Sequence, residues 1–288
     1  MGLLPRQKII DYYNDYKNMP VIFNKEIIQV TGLQAKQVIL KCGSDFFPCV
    51  VYSTSFTEAK IVAASKSGLI EKLKDTNNSA SIKFCFKIPE SGEQVVFLVA
   101  ARVIGSVPYD AASDMSMFTL QFSQHPPDDL IEIVGRILEA NVNYSKRKDE
   151  FIAITGETLR KLRFSGKEIG VTIENVPRRC ILRDISFAGA RLVTVGVAKF
   201  LIDKRVVIKF DFNEPDEIYG IEGKIVDAEK VADRDDMVVA NVFYCDSVPM
   251  TYKVRLSDYF STLRTDAKVA GLSAPQPIPD QPPNAPPA

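Results

Sequence analysis

The sequence predicts a mainly β chain: two tandem antiparallel β-barrels, each followed by a helix, with an N-terminal helix and a disordered Pro-rich C-terminal tail. Three observations lead there. A length of 288 residues suits about two domains. Short apolar runs broken by turn residues recur through both halves, the cadence of an antiparallel barrel or sandwich. The stretch "CVVYSTSFTEAKIV" at 49–62 returns as "CILRDISFAGARLV" at 180–193, with Cys, Ser, Phe, Ala and Val in the same places.

The elements follow in order. Residues 3–17 read as an amphipathic helix, with Leu3, Leu4, Ile9, Ile10, Tyr13 and Tyr16 at helical spacing. The runs "EIIQVTG", "KQVILKC", "CVVYS" and "AKIVAA" read as strands. A short helix at "SGLIEKLKD" precedes the strands "SIKFCFKI", "QVVFLVAARVIG" and "SMFTLQF". After "HPPDD" a helix begins, and Leu130, Val134, Ile137 and Leu138 line one of its faces up to "NVNYSKRKDE". Strands then resume as "EIGVTIENV", "RCILRDIS", "ARLVTV", "RVVIKFDF", "EIYGIEGKIVDAE" and "DMVVANVFYC". In the fourth of these, Val206, Ile208, Phe210 and Phe212 alternate with Val207, Lys209 and Asp211, as a half-buried strand requires.

A last helix carries Tyr252, Leu256, Tyr259, Phe260 and Leu263, and the tail "APQPIPDQPPNAPPA" has no core former beyond Ile278. The repeat extends to "AARVIG…DMSMFTLQFS" and "EGKIVD…DMVVANVFYC", each ahead of a helix. The expected division is a degenerate first copy at 1–126, a connecting helix and basic arm at 127–147, an intact second copy at 148–265, and the tail at 266–288.

Composition narrows the function. Thirty-six basic residues balance 36 acidic ones, which argues against bulk binding to nucleic acid or a membrane surface. The five cysteines form no Cys-x-x-Cys pair and have no histidines nearby, so they read as reduced core residues. The opening "MGLLPRQKII" turns polar after Leu4, unlike a secretory leader, and Arg6 stands where a myristoylation signal needs Ser or Thr. With no apolar span long enough for a membrane, the expected location is the cytoplasm. His125 is the single histidine and has no partner nucleophile; neither a metal-ligand spacing nor a glycine-rich phosphate loop appears. No catalytic residue, metal or cofactor is expected.

The polar residues of the second copy carry the chemistry. Strand alternation puts Ile185 and Phe187 inward and leaves Asp184 and Ser186 facing out of the barrel. A carboxylate beside a hydroxyl offers a ligand several acceptors and one donor. Gly189 admits a positive φ or a close ligand. The plainer alternative is that Asp and Ser cap the turn by local hydrogen bonds. In the first copy Ser53 and Glu58 replace Asp184 and Gly189.

"LRDISFAGARL" resembles the Asp/Asn-x-Ser-x-x-Gly signature of PilZ domains. "GVTIENV" ahead of it, "VVANVFY" before a helix, and an upstream basic arm are similar to the family's surroundings. The resemblance covers the second half directly, the first through the repeat, and leaves out the tail. It implies two PilZ-like barrels and a bacterial receptor for cyclic di-GMP. Such a receptor passes the messenger's level to an unidentified protein partner by rearranging its barrels, in motility or virulence control.

It also implies an Arg-x-x-x-Arg arm that clasps guanine and phosphate. Arginine suits the task, because its planar fork reads the O6/N7 edge and stacks on rings. Here the arm reads "SKRKDEFIAI": Arg147 fits the first arginine, and Phe151 stands where the second belongs. Lysine attracts phosphate but makes no bidentate guanine contact. The implied ligand set is Arg147, Lys148, Asp184, Ser186 and Gly189. Further candidates are Lys146, Arg160 and Arg163 of "LRKLRF", and Arg178 and Arg179. The missing arginine supports the competing reading, a PilZ-fold protein-interaction adaptor that binds no nucleotide.

Overall fold

The computed structural model describes residues 4–88, 91–110, 114–213, 217–232, 234–245 and 248–269. The first unit runs α1 (Arg6–Tyr16), β1 (Val21–Ile22), α2 (Lys25–Thr31), β2 (Ile39–Cys42), β3 (Asp45–Thr54), β4 (Glu58–Ala64) and α3 (Leu69–Asp75). It continues through β5 (Ser79–Lys87), β6 (Gln94–Pro108) and β7 (Met115–Phe122) to α4 (Asp128–Lys146). Strands β3-β2-β5-β6-β7-β4 form an antiparallel ring that the β3–β4 pairing closes, with β1 laid against β3.

The second unit runs β8 (Ile152–Ala153), α5 (Gly156–Leu162), β9 (Glu168–Ile173), β10 (Val176–Ile185), β11 (Gly189–Val195), α6 (Ala198–Leu201), β12 (Arg205–Phe212), β13 (Glu217–Val231), β14 (Arg234–Tyr244) and α7 (Met250–Val269). Its ring, β10-β9-β12-β13-β14-β11, closes through β10–β11, and β8 flanks β10 as β1 flanks β3. Closure pairs the strand edges that an open sheet leaves unsatisfied.

The repeat is structural. Val21 and Ile152, Asn24 and Thr155, Cys49 and Cys180, Ser55 and Ser186 occupy matching places, each pair 131 residues apart (152 − 21, 186 − 55). In β12 the alternation holds, with Val206, Ile208, Phe210 and Phe212 buried. Each barrel has its own core. Leu40, Phe84, Phe86 and Phe118 anchor the first, and Phe187, Phe210, Phe212 and Tyr252 the second. The apolar face of α4 belongs to the first core, and Met250 and Val254 of α7 join it there. The connecting helix is thus packed structure rather than a free spacer.

One expected strand is a helix instead, and α5 and α6 are short helices where only strands and an arm were expected. "EIIQVTG" forms helix α2 rather than a strand. The Asn24 side chain accepts the Ile27 N–H at 2.9 Å, and Gly32, at φ 69°, closes the helix in a left-handed cap. Seven residues are too few for periodicity to separate helix from strand, so the caps decide. Helix α7 runs to Val269, beyond the expected boundary, and the rest of the Pro-rich tail lies outside the described residues. Cys42, Cys49, Cys85 and Cys180 are buried free thiols, whereas Cys245 is exposed. Burial pushes the Cys49 thiol up to about 12. Among the described residues, no helix is long and apolar enough to cross a membrane.

Candidate functional site

The turn between β10 and β11 is built by its serine. The Ser186 hydroxyl accepts the N–H groups of Ala188 at 3.1 Å and Gly189 at 3.0 Å. The Ser186 N–H donates to the Gly189 carbonyl at 2.8 Å. Ser55 repeats the arrangement in the first barrel, accepting from Thr57 and Glu58 at 3.1 Å each and donating to the Glu58 carbonyl at 2.8 Å. Both serines are buried. Ser186 therefore does not face outward as alternation suggested: β10 ends at Ile185, so Ser186 opens the turn and its hydroxyl folds back onto the turn's own N–H groups.

Gly189 also has a structural reason. Its φ is not positive, and a Cβ there would lie 2.2 Å from the Val242 carbonyl oxygen, where β11 pairs closely with β14. Strand approach accounts for this glycine.

Asp184 is different. It sits opposite Arg191 across the β10–β11 pair and opposite Ala153 of β8, and directly paired residues share a face. Arg191 is half-buried between Ala190 and Leu192, which are buried in the barrel, so the shared face is the outer one. Yet Asp184 is only 6% exposed. Arg191 Nε lies 2.8 Å from its Oδ2, and Arg183 Nε lies 3.5 Å away. The contact with Arg191 is one of charge: neither Asp184 Oδ2 nor Arg191 Nε has a hydrogen-bond partner, although both are buried. The Arg191 guanidinium carbon lies 4.6 Å from the centre of the Phe151 ring, and Phe151 is 44% exposed. Phe151, Arg191 and Asp184 thus form a stack on the barrel's outer face.

The arm is tied to the same turn. Arg147 caps α4, with Nη1 2.8 Å from Glu150 Oε2 and its guanidinium 4.8 Å from the Phe260 ring centre. The Lys148 carbonyl accepts the Ala188 N–H at 3.1 Å, and its Nζ lies 5.6 Å from the Phe243 ring. Behind the turn, Phe187 meets Phe260 and Tyr144, both at 6.0 Å, and the Tyr252 hydroxyl donates to the Ser186 carbonyl at 2.8 Å.

Arg147, Lys148, Asp184, Ser186 and Gly189 therefore come together, with Lys146 one residue back at the end of α4. Four other candidates do not join them. Arg178 Nη1 donates to the Val195 carbonyl at 3.0 Å, and Arg179 pairs with Glu168 at 3.8 Å. Both stand near the start of β10, some ~20 Å along the strand from Asp184 at ~3.3 Å per residue. Arg160 is exposed on α5, and Arg163 borders a cleft between the barrels. Sequence reasoning missed Arg191. Its signal is two residues past Gly189: Ala190 and Leu192 point inward, so Arg191 points out beside Asp184.

Where the second barrel has Arg147, Phe151, Asp184 and Arg191, the first has Tyr16, Pro20, Ser53 and Lys60 at the same offset. The turn-building serine, the buried phenylalanine behind it and Lys17, the counterpart of Lys148, are kept. The chain's two copies thus differ where the outer-face side chains gather.

Residues 7–141 match the PilZN3 domain model and residues 153–260 the PilZ domain model. A Treponema denticola protein named as a cyclic di-GMP binding protein is 41% identical over 269 residues, spanning 93% of this chain and 86% of the relative. The chain belongs to the PilZ family. The chain also aligns with two solved structures. PlzA of Borreliella burgdorferi in complex with c-di-GMP is 21% identical, with a TM-score of 0.40 over 88% of this chain and 98% of that one. YcgR of Escherichia coli in complex with c-di-GMP is 10% identical, with a TM-score of 0.29 over 85% and 91%. Among the described residues, no group of three or more His, Cys, Asp and Glu gathers to hold a metal.

Proposed function

We propose that this PilZ protein is a cytoplasmic, non-enzymatic receptor for cyclic di-GMP, bound by the second barrel and its arm. The observation that carries the reading is Asp184: a buried carboxylate on an outer barrel face whose Oδ2 has no hydrogen-bond partner. A buried acceptor without a hydrogen bond is costly even beside a cation, and a donor-bearing ligand offsets that cost. Guanine's N1–H and exocyclic amine are such donors. In this reading Arg191 holds the carboxylate in place, and Arg147 supplies a fork for a guanine edge or phosphate. Lys146 and Lys148 add positive charge for the two phosphates. Phe151, where the family pattern has a second arginine, braces Arg191 from the outer side.

Transmission to a protein partner runs through α7. Arg147 rests on Phe260, and Phe187 of the motif turn packs against the same ring. A ligand that draws Arg147 away changes what holds α7, the helix that contributes to both cores.

Calorimetric titration of the full chain with cyclic di-GMP tests the reading. Saturable binding is expected, with the nucleotide recovered intact, and Asp184→Ala should abolish it while the protein stays folded. Absence of binding by the wild-type chain would favour the nucleotide-free adaptor, the reading that the missing second arginine supports.

A further inference from the structure

The outer-face row that holds Asp184 does not stop at Arg191. Strand register carries it across the barrel: Asp184 pairs with Arg191, Arg191 with Asn241 of β14, and Asn241 with Asp227 of β13. Directly paired residues share a face, so all four side chains stand on the same outer surface. A β-bulge between Ile225 and Asp227 brings the last of them into line.

Asn241 is oriented by its neighbour. Its Nδ2 donates to Asp227 Oδ2 at 3.2 Å, and because a carboxylate only accepts, the amide oxygen is turned the other way. That oxygen is buried and, among the described residues, has no hydrogen-bond partner. The row thus holds two unpaired acceptors, Asp184 Oδ2 and Asn241 Oδ1. They stand two strands apart, roughly 10 Å at ~4.8 Å per strand, too far to share one base edge.

The first barrel has the same row without this chemistry. There the register runs Ser53, Lys60, Thr119 and Gly105, through a matching bulge between Val103 and Gly105. Pairing and bulge are kept, whereas the amide and both carboxylates are missing. The barrel therefore closes without Asn and Asp at these places, and the fold does not account for them.

We propose that Asn241 is a specificity-determining residue whose Oδ1 accepts the exocyclic amine of one guanine of cyclic di-GMP, while Asp184 serves the other guanine. Asp227 is its positioning residue. The inference rests on the receptor reading above and adds to it a contact with the second base. An acceptor at this point selects guanine by its amine. A base without that amine leaves the buried oxygen unpaired, which is how a polar site rejects an analogue.

The probes are cyclic di-GMP and cyclic di-IMP, the inosine analogue that lacks only the exocyclic amines, each titrated into the full chain by calorimetry. The wild-type protein should bind cyclic di-GMP more tightly. Asn241→Val keeps a β-branched residue where the first barrel has Thr119, so the protein should stay folded. It should cut the preference for cyclic di-GMP about five-fold, the scale of one hydrogen bond, and leave the affinity for cyclic di-IMP nearly unchanged. Asp227→Ala, at an exposed position, frees the amide to rotate and should lower the same ratio. That variant decides if Asn241→Val fails to fold. A folded Asn241→Val protein that binds cyclic di-GMP with the wild-type preference overturns this proposal and leaves the receptor reading standing. A wild-type chain that binds neither nucleotide overturns both.

Discussion

Phe151 stands where the arm's second arginine belongs, and its surroundings set what Phe151→Arg does. The ring stacks on Arg191 and is not part of either core, so the exchange should leave the melting temperature nearly unchanged. It forfeits a cation–π contact worth about 0.5–1 kcal/mol at an exposed site. It gains a fork whose bidentate guanine contact is worth about 1–3 kcal/mol. The gain outweighs the loss, so cyclic di-GMP should bind up to about thirty-fold more tightly, with a shallower salt dependence. Calorimetry at two salt concentrations checks this. Weaker binding would mean that the phenylalanine ring itself holds a base. Gly189→Ala is a different experiment. Its Cβ meets a backbone carbonyl that cannot move aside, so the cost should be about 1–3 kcal/mol of overpacking. A melting temperature unchanged in Gly189→Ala would show that β11 and β14 have room to separate. Asp184→Ala is therefore the cleaner probe of binding.

The serine turn is the element that both barrels share, and its matched pair separates structure from recognition. Ser55→Ala strips the acceptor from the N–H groups of Thr57 and Glu58, and Ser186→Ala from that of Gly189 while Ala188 keeps the Lys148 carbonyl, losses of about 1–2 kcal/mol. Near 2–4 °C per kcal/mol for a domain of this class, both should lower the melting temperature by several degrees and to a similar extent. If Ser186→Ala abolished ligand binding without any thermal cost, the hydroxyl would be a ligand contact rather than a turn former. The arm belongs to this element too. Lys17 and Lys148 each offer a carbonyl to the turn, at 3.1 Å to the N–H groups of Phe56 and Ala188, so each barrel's entry chain is pinned where its motif sits.

At the scale of the whole molecule, Glu139 ties the helices together. Buried on α4, it accepts the Tyr12 hydroxyl at 2.7 Å and pairs with Lys8 at 3.1 Å, both from α1. From α7 it accepts the Ser261 hydroxyl at 3.2 Å and meets Arg264 at 3.5 Å. Arg136–Asp258 at 2.7 Å, Asn143–Ser257 at 2.8 Å and the Met250 N–H donating to Glu26 add further links across the unit boundary. Removing one partner of a buried ion pair costs about 3–5 kcal/mol; with Lys8 and Arg264 partly exposed, Glu139→Ala should cost about 2–3 kcal/mol. Thermal melting measures it, and proteolysis should show α1 released first. If α1 stayed protected in the variant, apolar packing of Ile9 and Tyr12 alone would hold it.

The sequence by itself determined the two-copy architecture, the six ring strands of each copy as segments of the chain, and which copy carries Asp184 and Gly189. Those follow from local periodicity and from letters repeated at a fixed spacing, both of which a linear chain displays. It misjudged α2, whose seven residues are fixed as a helix by the Asn24 and Gly32 caps. It also placed Ser186 outward, because alternation was carried past Ile185, where the strand ends and the turn's own hydrogen bonds take over. Only the tertiary structure set Arg191 against Asp184 and Phe151, since that contact joins three strands or arm segments through register. It alone sent Arg163 to the inter-barrel cleft and Arg178 to the far end of β10, because a basic side chain reads the same in sequence wherever the fold carries it.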